Sequence, residues 1–317
     1  MPPSGSLIGR LQLCGKNNVK NSGLTQSLAD FFGPLPEPAI LFVIDALLVV
    51  VGLAILVFAV IRYVRVGGGG LLVGAPDRPN TLWPEYIALP ALVFFVLAMG
   101  IGALLAEIPE DRLPLELGEL LSGSTSALLA GLACVVLAAR TFEKRAAGFL
   151  FGDGRVAGHA FLGLLALLAA LPLCFGAMEL SALLIYFFNP DYTLPQHDVL
   201  VLLDQPGLPG WVPAALWLCA VVIAPVAEEL FFRGVCQTAL NHVFRRRWLS
   251  TVLVGSAFGL AHMEQPHVVA PLIVLGVILG YVYERTGSLV APITMHLLFN
   301  LKTMIFATIA NADIPCP

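Results

Sequence analysis

The amino-acid sequence predicts an all-α protein, a polytopic bundle of about eight transmembrane helices. Hydrophobic residues make up 58% of the 317 residues and charged residues 12%, whereas soluble domains contain about 45–50% and about 25%. The mean hydropathy is +0.88. The apolar residues lie in blocks of about 20, long enough as helices to cross a hydrocarbon core of about 30 Å. The lipid bilayer is therefore the expected surroundings of the chain.

Eight blocks are candidate spans. They cover residues 39–61, 86–106, 120–139, 159–188, 211–237, 249–263, 268–283 and 289–309. The fourth block is long for one crossing and contains Pro172. It is therefore predicted either to kink or to extend into the membrane–water interface. Residues 1–38 form a predicted extramembrane segment without the pattern of a cleavable signal peptide, so we expect the first span to direct insertion.

The distribution of charge predicts the orientation in the cell membrane. Most of the 17 basic residues follow the first, third, fifth and seventh spans, whereas the connections 107–119 and 191–204 are acidic and contain only Arg112 as a base. Because basic loops remain in the cytoplasm, we expect an even number of spans and both termini outside. The net charge of −4, without a concentrated basic face, argues against nucleic acid as a partner.

Charged residues inside the fifth span predict a functional site, because charges within a membrane are costly and mark pathways or reaction centres. Glu228 and Glu229 are adjacent, and Arg233 follows four residues after Glu229. Residues four apart are neighbours on one helix face, so Glu229 and Arg233 can pair. Glu228 points about 100° away and is free to face another group. Taken alone, this pattern is equally consistent with a structural ion pair at a span end.

Two histidine motifs supply further polar groups at a matching depth. His262 lies in the sixth span, and His296 is followed four residues later by Asn300 in the eighth. Glu228 and His262 each lie 17 residues from Arg245, which places them at equal depth in an antiparallel hairpin. His296 and Asn300 lie about 14 and 20 Å along their span at 1.5 Å per residue. All four groups can therefore share one layer of the membrane.

Small residues predict that the helices around this layer pack closely. Gly255 with Gly259, and Gly276 with Gly280, each form a GxxxG pair. Such pairs allow the backbones of membrane helices to approach each other.

A glutamate, two histidines and an asparagine in a water-poor site indicate hydrolysis. A carboxylate near a neutral imidazole can deprotonate water, and imidazole and amide donors can stabilise the oxyanion of a tetrahedral intermediate. Alternatively Glu228, His262 and His296 could hold zinc, since two histidines and a glutamate form a known catalytic ligand set. The spacing does not separate the two alternatives, although HExxH is absent.

In order and spacing, three motifs resemble the signature of the CAAX-processing and bacteriocin-processing (CPBP) intramembrane protease family. They are Glu228-Glu229-x-x-x-Arg233-Gly234, Phe258-x-x-x-His262 and His296-x-x-x-Asn300, and the stretch GYVYERTGSLVAPITMH at 280–296 strengthens the likeness. The similarity covers roughly residues 212–309. We therefore divide the chain into the N-terminal segment, a transmembrane region of unassigned role at 39–210, and a protease core at 211–310.

The resemblance implies an intramembrane endopeptidase whose site opens to the cytoplasm. Its substrate would be a membrane-associated protein or peptide, either a prenylated CAAX-type protein or a secreted peptide. It implies that Glu228 and His262 activate water and that His296 and Asn300 form the oxyanion site. The pair of Glu229 and Arg233 would order the helix. Family members have been described both as metalloproteases and as glutamate-dependent, and we favour the mechanism without a metal, expecting no cofactor.

The sequence is also compatible with two other functions. The protein could keep the fold as a non-catalytic scaffold for a membrane partner, although a scaffold would not require an intact set of glutamates and histidines. It could also be a proton-coupled transporter in which the buried glutamates and histidines relay protons. No inverted repeat or pair of broken helices supports a transporter.

Overall fold

The structure, a computed structural model, describes residues 38–66, 72, 75, 82–108, 115–141, 145–192 and 210–312. Within these ranges the regular secondary structure is helical, without a strand. The predicted extramembrane segment before residue 38 and parts of the acidic connections 107–119 and 191–204 lie outside the described residues.

The described part of the chain forms nine helices, and each of the eight predicted spans corresponds to one of them. They are α1 (Pro38–Val66), α2 (Ala88–Ala106), α3 (Leu115–Thr141), α4 (Arg145–Phe151), α5 (Val156–Phe188), α6 (Val212–Phe244), α7 (Arg247–Leu260), α8 (Pro266–Thr286) and α9 (Val290–Ala312). A 3₁₀ turn at Pro84–Ile87 leads into α2. Only the short helix α4 was absent from the prediction.

Five segments are long and apolar enough to cross a membrane by length and composition. They are Pro84–Ala106, Leu117–Thr141, Val156–Phe188, Val212–Phe244 and Pro266–Thr286. Two shorter apolar stretches, Ala46–Arg62 and Val290–Phe306, lie within α1 and α9. The protein is therefore a multi-pass integral membrane protein with an all-α fold.

Helix α7 is shorter than the predicted sixth span. It ends at Leu260 rather than at residue 263, so its 14 residues extend only about 21 Å. The reason lies in the residues that follow, because Pro266 disfavours helical backbone at Gln265 and begins α8 itself. His262 consequently lies in the turn between α7 and α8, beyond the end of the helix that was predicted to carry it.

The two GxxxG pairs bring α7 and α8 into backbone contact, as predicted. A Cβ atom added to Gly276 would lie 2.6 Å from the carbonyl oxygen of Gly255, and one added to Gly255 would lie 2.6 Å from the backbone nitrogen of Val277. A Cβ atom added to Gly259 would lie 2.6 Å from the backbone nitrogen of Ile273. No larger residue fits this crossing without separating the helices.

We expect Gly276→Ala to destabilise the protein by about 1–3 kcal/mol, the usual cost of forcing atoms into a packed interior. Gly176→Ala in α5 is the matched control, since nothing lies within 4 Å of a Cβ atom at that position. Alanine is favoured over glycine inside a helix by about 1 kcal/mol, so the control should be neutral or stabilising. Thermal unfolding in detergent micelles measures both, and equal behaviour of the two variants would contradict the close crossing.

Helix α6 contains two π-helical segments, Cys219–Ile223 and Leu230–Gln237, on either side of the α-helical turn Ala224–Glu229. The first segment ends two residues before Pro225, which has no N–H to donate and whose ring crowds the preceding turn. A wider turn relieves that crowding. Single π-helical turns are rare and are frequent at functional sites, and the sequence pattern did not predict them.

Helices α3 to α5, from the region of unassigned role, pack directly on the predicted protease core. The ring of Phe149 in α4 occupies the space beside Gly234, and Gly163 in α5 lies against the carbonyl oxygen of Ala291. The carbonyl oxygen of Leu150 accepts hydrogen bonds from the backbone nitrogen of Leu289 at 3.0 Å and from the hydroxyl of Ser288 at 3.1 Å. These contacts fix the start of α9, the helix that carries His296 and Asn300.

Candidate active site

A buried cluster of three side chains joins α6 to α9. Arg233 Nη1 donates to Glu229 Oε1 at 2.7 Å, and His296 Nδ1 lies 2.9 Å from the same oxygen. Glu229 and Arg233 are fully buried and His296 is 3% exposed. The predicted pairing of Glu229 with Arg233 is therefore present, and it extends to a histidine that lies 67 positions further along the chain.

Glu228 approaches the other side of the same imidazole ring. Its Oε2 lies 3.7 Å from His296 Nε2, and its side chain is 30% exposed. The two adjacent carboxylates point in different directions, as helical geometry requires. Both nevertheless adjoin His296, because the two nitrogens of an imidazole face different directions. Only Glu228 of this pair has access to the surroundings.

The ring of Phe258 is the common packing surface of the cluster. It is fully buried, with the guanidinium carbon of Arg233 4.6 Å from its centre. The ring centres of His296 and His262 lie 5.4 and 5.3 Å away. A cation close to an aromatic face is stabilised by the ring quadrupole. Phe258 therefore holds the two histidines and Arg233 around one point, and it brings His262 to the layer where Glu228 lies.

His262 is fixed by its own turn. Its Nδ1 lies 3.0 Å from the carbonyl oxygen of Phe258. Because a carbonyl can only accept, Nδ1 carries the hydrogen in this contact and Nε2 is left with its lone pair. The half-buried imidazole thus presents a proton acceptor.

Asn300 ties α9 to the first π-helical segment. Its Nδ2 donates to the carbonyl oxygen of Ala220 at 2.9 Å. An amide nitrogen has two hydrogens, so this contact fixes the side chain and leaves one donor for another group. Asn300 does not contact the carboxylates directly; it lies one helical turn beyond His296 on the same face of α9.

The charges of the cluster give the imidazole of His296 a defined orientation. Glu229 accepts from the Arg233 guanidinium, so this carboxylate is compensated by a buried cation. A carboxylate paired in this way is an acceptor only, and His296 must present an N–H to it through Nδ1. Glu228 is a second carboxylate beside Nε2, and the Arg233 guanidinium donates to Glu229 rather than to Glu228.

The described residues do not form a zinc site in this arrangement. No three His, Cys, Asp or Glu side chains within the described ranges converge closely enough to hold a metal ion. Among the three residues suggested as ligands, His262 and His296 each contact an oxygen acceptor through Nδ1, which leaves Nε2 of each ring to face another group. We derive no step through a metal.

Two buried polar residues near the cluster were missed at the sequence level. Gln237 lies one turn beyond Arg233, and Glu284 lies near the end of α8; both side chains are fully buried, and they hydrogen-bond at 2.9 Å. The available signal was the spacing of four that links Arg233 to Gln237 in the fifth span. Glu284 had no comparable signal, because it lies one residue beyond the end of the predicted seventh span.

The candidate site lies in a region of the chain that matches a known protein family. Residues 210–302 match the family model described as Type II CAAX prenyl endopeptidase Rce1-like. The match supports the predicted resemblance to the CPBP family for this region of the chain. The Rce1-like region contains all six predicted site residues and nearly coincides with the core predicted from the motifs. The match supports an intramembrane endopeptidase of the CAAX type as the kind of function.

Two curated proteins are similar to parts of the chain. The uncharacterized protein YyaK of Bacillus subtilis (strain 168) is 28% identical over 109 residues, 31% of this chain and 36% of that protein. An uncharacterized 24.3 kDa protein of Escherichia coli is 25% identical over 143 residues, 43% of this chain and 63% of that protein. The chain thus spans less than two thirds of either relative. No solved structure matches it significantly.

Proposed function

We propose that the protein is an intramembrane endopeptidase that hydrolyses a peptide bond of a membrane-associated protein or peptide, with Glu228 as general base. One observation supports this most strongly: two carboxylates adjoin the two nitrogens of one buried imidazole, and only one of them is compensated by a buried arginine. A structural ion pair needs one carboxylate. The second carboxylate, half-open to its surroundings, is suited to proton transfer.

The two glutamates have different tasks in this proposal. Glu229 is fully buried and bonded to Arg233 and His296, so it orients the imidazole and does not exchange protons with water. Glu228 is 30% exposed and can reach a water molecule. His262, with a free lone pair on Nε2, assists Glu228 in holding that water. The two neighbouring carboxylates thus have different roles because one is buried and bonded and the other is partly exposed.

The reaction follows from these roles. The Glu228 carboxylate removes a proton from water while the water oxygen bonds to the carbonyl carbon of the scissile peptide, which gives a tetrahedral oxyanion. The C–N bond then breaks, and protonated Glu228 returns its proton to the leaving nitrogen. The products are a carboxylic acid and an amine. A general base of this type typically contributes about 10²–10⁴ to the rate.

His296 and Asn300 are the proposed oxyanion donors. With Nδ1 committed to Glu229, Nε2 is the atom through which the imidazolium form of His296 donates to the oxyanion. Asn300 contributes the hydrogen of Nδ2 that Ala220 does not use. Both side chains are fixed before substrate binds, and prearranged donors of this type are commonly worth several kcal/mol in the transition state.

The substrate class follows from the surroundings of the site and from the family. Glu228, Glu229 and Arg233 lie on a helix long and apolar enough to span the membrane, and His296 and Asn300 lie on an apolar stretch of α9. A substrate must therefore be anchored in the bilayer or delivered to it. The Rce1-like match makes a prenylated CAAX-type protein the first candidate, and a secreted peptide is the second.

Protein termini in membranes provide a test that requires no prior choice of substrate. Cells expressing the wild type are compared with cells expressing Glu228→Gln, and with cells expressing Glu264→Gln, an exposed glutamate in the same turn as His262. We expect new termini with the wild type and the Glu264 control but not with Glu228→Gln. Identical profiles for all three proteins at equal abundance would favour the scaffold over the protease.

Removal of metal ions should leave the activity unchanged. We expect purified protein to retain its rate after prolonged treatment with a chelator, because Glu228 and the histidines act on water without a metal in this proposal. Elemental analysis of the active protein before and after treatment provides the measurement. Stoichiometric zinc that is lost together with activity, and that restores activity when added back, would overturn the proposal of a metal-free mechanism.

A further inference from the structure

A stripe of polar residues runs along α6 from the candidate site toward the end of the helix. Its members share a spacing of four: Glu229, Arg233, Gln237 and Asn241. All of them bond to α8 or α9 rather than to the bilayer. Arg233 Nη2 donates to the carbonyl oxygen of Gly276 at 3.1 Å, and Gln237 Nε2 donates to that of Gly280 at 3.0 Å. The two glycines of the α8 motif thus expose their carbonyl groups to α6.

This stripe requires the second π-helical segment. In a regular α-helix a step of four residues advances about 400°, so each member would be displaced by about 40° and the fourth by about 120°. The segment Leu230–Gln237 has π geometry and therefore more residues per turn, which reduces the displacement. The rotation of this segment decides whether Arg233 meets both Glu229 and Gly276.

Glu284 fixes the far end of the stripe. Its Oε1 accepts from Gln237 Nε2 at 2.9 Å and from Asn241 Nδ2 at 2.7 Å, and its Oε2 lies 3.7 Å from Arg247 Nε. The side chain is fully buried. Gln237 Nε2 also lies 3.2 Å from the hydroxyl of Thr251 in α7. One carboxylate therefore joins three helices at the point where the π-helical segment ends.

A second pair of groups stabilises the same segment. The hydroxyl of Thr238 donates to the carbonyl oxygen of Arg233 at 3.3 Å and lies 3.2 Å from the hydroxyl of Tyr283, the residue before Glu284. The backbone of the segment and its side chains are thus both held by the last turn of α8. Burying a carboxylate for stability alone is inefficient, because a well-packed apolar pair is commonly as stable or more stable.

We propose that Glu284 is a positioning residue for the catalytic centre, acting through Gln237 on the rotation of the π-helical segment that carries Arg233. This inference rests on the proposed protease function. Glu284 does not touch the reacting groups. By holding Gln237 against Gly280, it keeps Arg233 where it bonds both Glu229 and Gly276, and so keeps His296 oriented toward Glu228.

The test measures kcat and KM on a fluorescence-quenched peptide that spans the bond identified from the new termini. We expect Glu284→Leu to lower kcat by about 10- to 100-fold with little change in KM, because displacements of about 1 Å in a catalytic group cost rate on this scale. Glu284→Gln should stay within about threefold of the wild type, since its amide oxygen can still accept from Gln237. Rates are referred to the folded, monodisperse protein.

A double variant separates positioning from stability. In Gln237→Leu with Glu284→Leu, the two fully buried partners are removed together, and such joint replacement is commonly near neutral in stability. Asn241 also loses its acceptor, but this residue is only half-buried. We expect an unfolding midpoint close to that of the wild type together with the low kcat of Glu284→Leu. Recovery of both midpoint and kcat would overturn the inference and reduce Glu284 to a structural contact.

The same assay distinguishes failure of the inference from failure of the proposed function. If Glu284→Leu retains full kcat while Glu228→Gln is inactive, the positioning role is wrong and the protease proposal stands. If Glu228→Gln retains activity, the proposed mechanism fails whatever the Glu284 variants do.

Discussion

Glu228→Gln is expected to lower kcat by about 10²–10⁴-fold, the usual contribution of a general base, and to leave the fold intact. The amide preserves the size of the side chain but cannot accept a proton from water. Because Glu228 is 30% exposed and the hydrogen-bonded partner of Arg233 is Glu229, neutralisation of Glu228 should change the free energy of unfolding by less than about 1 kcal/mol. Single-turnover cleavage of the quenched peptide and thermal unfolding in micelles measure the two quantities.

Glu229→Gln provides the informative comparison for this prediction. It removes a charge one position away, but from the carboxylate that orients His296 and pairs with Arg233. We expect it to lower both stability and kcat, whereas Glu228→Gln lowers kcat alone. If the two variants exchange these signatures, then the assignment of base and orienting residue is reversed.

Arg233→Met is expected to produce the largest loss of stability, about 3–5 kcal/mol, which is typical when one partner of a buried ion pair is removed. Glu229 would remain as a buried carboxylate without its cation, and the carbonyl group of Gly276 would lose its donor. Methionine retains much of the apolar volume, so the loss reports charge and hydrogen bonding rather than a cavity. Denaturant unfolding in mixed micelles gives the free energy.

Two further variants test the electrostatic origin of that loss. Arg140→Met removes an exposed arginine from the end of α3 and should change stability by about 0.5 kcal/mol or less. The double variant Arg233→Met with Glu229→Gln removes both charges and retains an amide oxygen for His296 Nδ1. It should regain most of the lost stability, and a double variant as unstable as Arg233→Met alone would rule out the uncompensated carboxylate as the cause.

Local periodicity accounts for what could be predicted. Apolar blocks of about 20 residues predicted the helices with boundaries within about five residues, except where α6 continues seven residues further, to Phe244. The spacing of four residues predicted the ion pair of Glu229 and Arg233, and the structure confirms it. Counting residues along the spans also predicted His296 in the same layer as Glu228, and the structure has the two side chains 3.7 Å apart. Each of these depends only on rise and rotation along one helix.

The sequence by itself determined an all-helical membrane protein, its Rce1-like motifs and the residues that lie in one layer. Only the tertiary structure decided that Glu228 and Glu229 share His296, that Phe258 gathers both histidines, and that Glu284 closes the polar stripe. These contacts depend on how far each helix is rotated about its axis relative to its neighbours. That rotation is fixed by glycine contacts between α7 and α8 and by π-helical turns in α6, which change the angle between side chains without changing the sequence pattern.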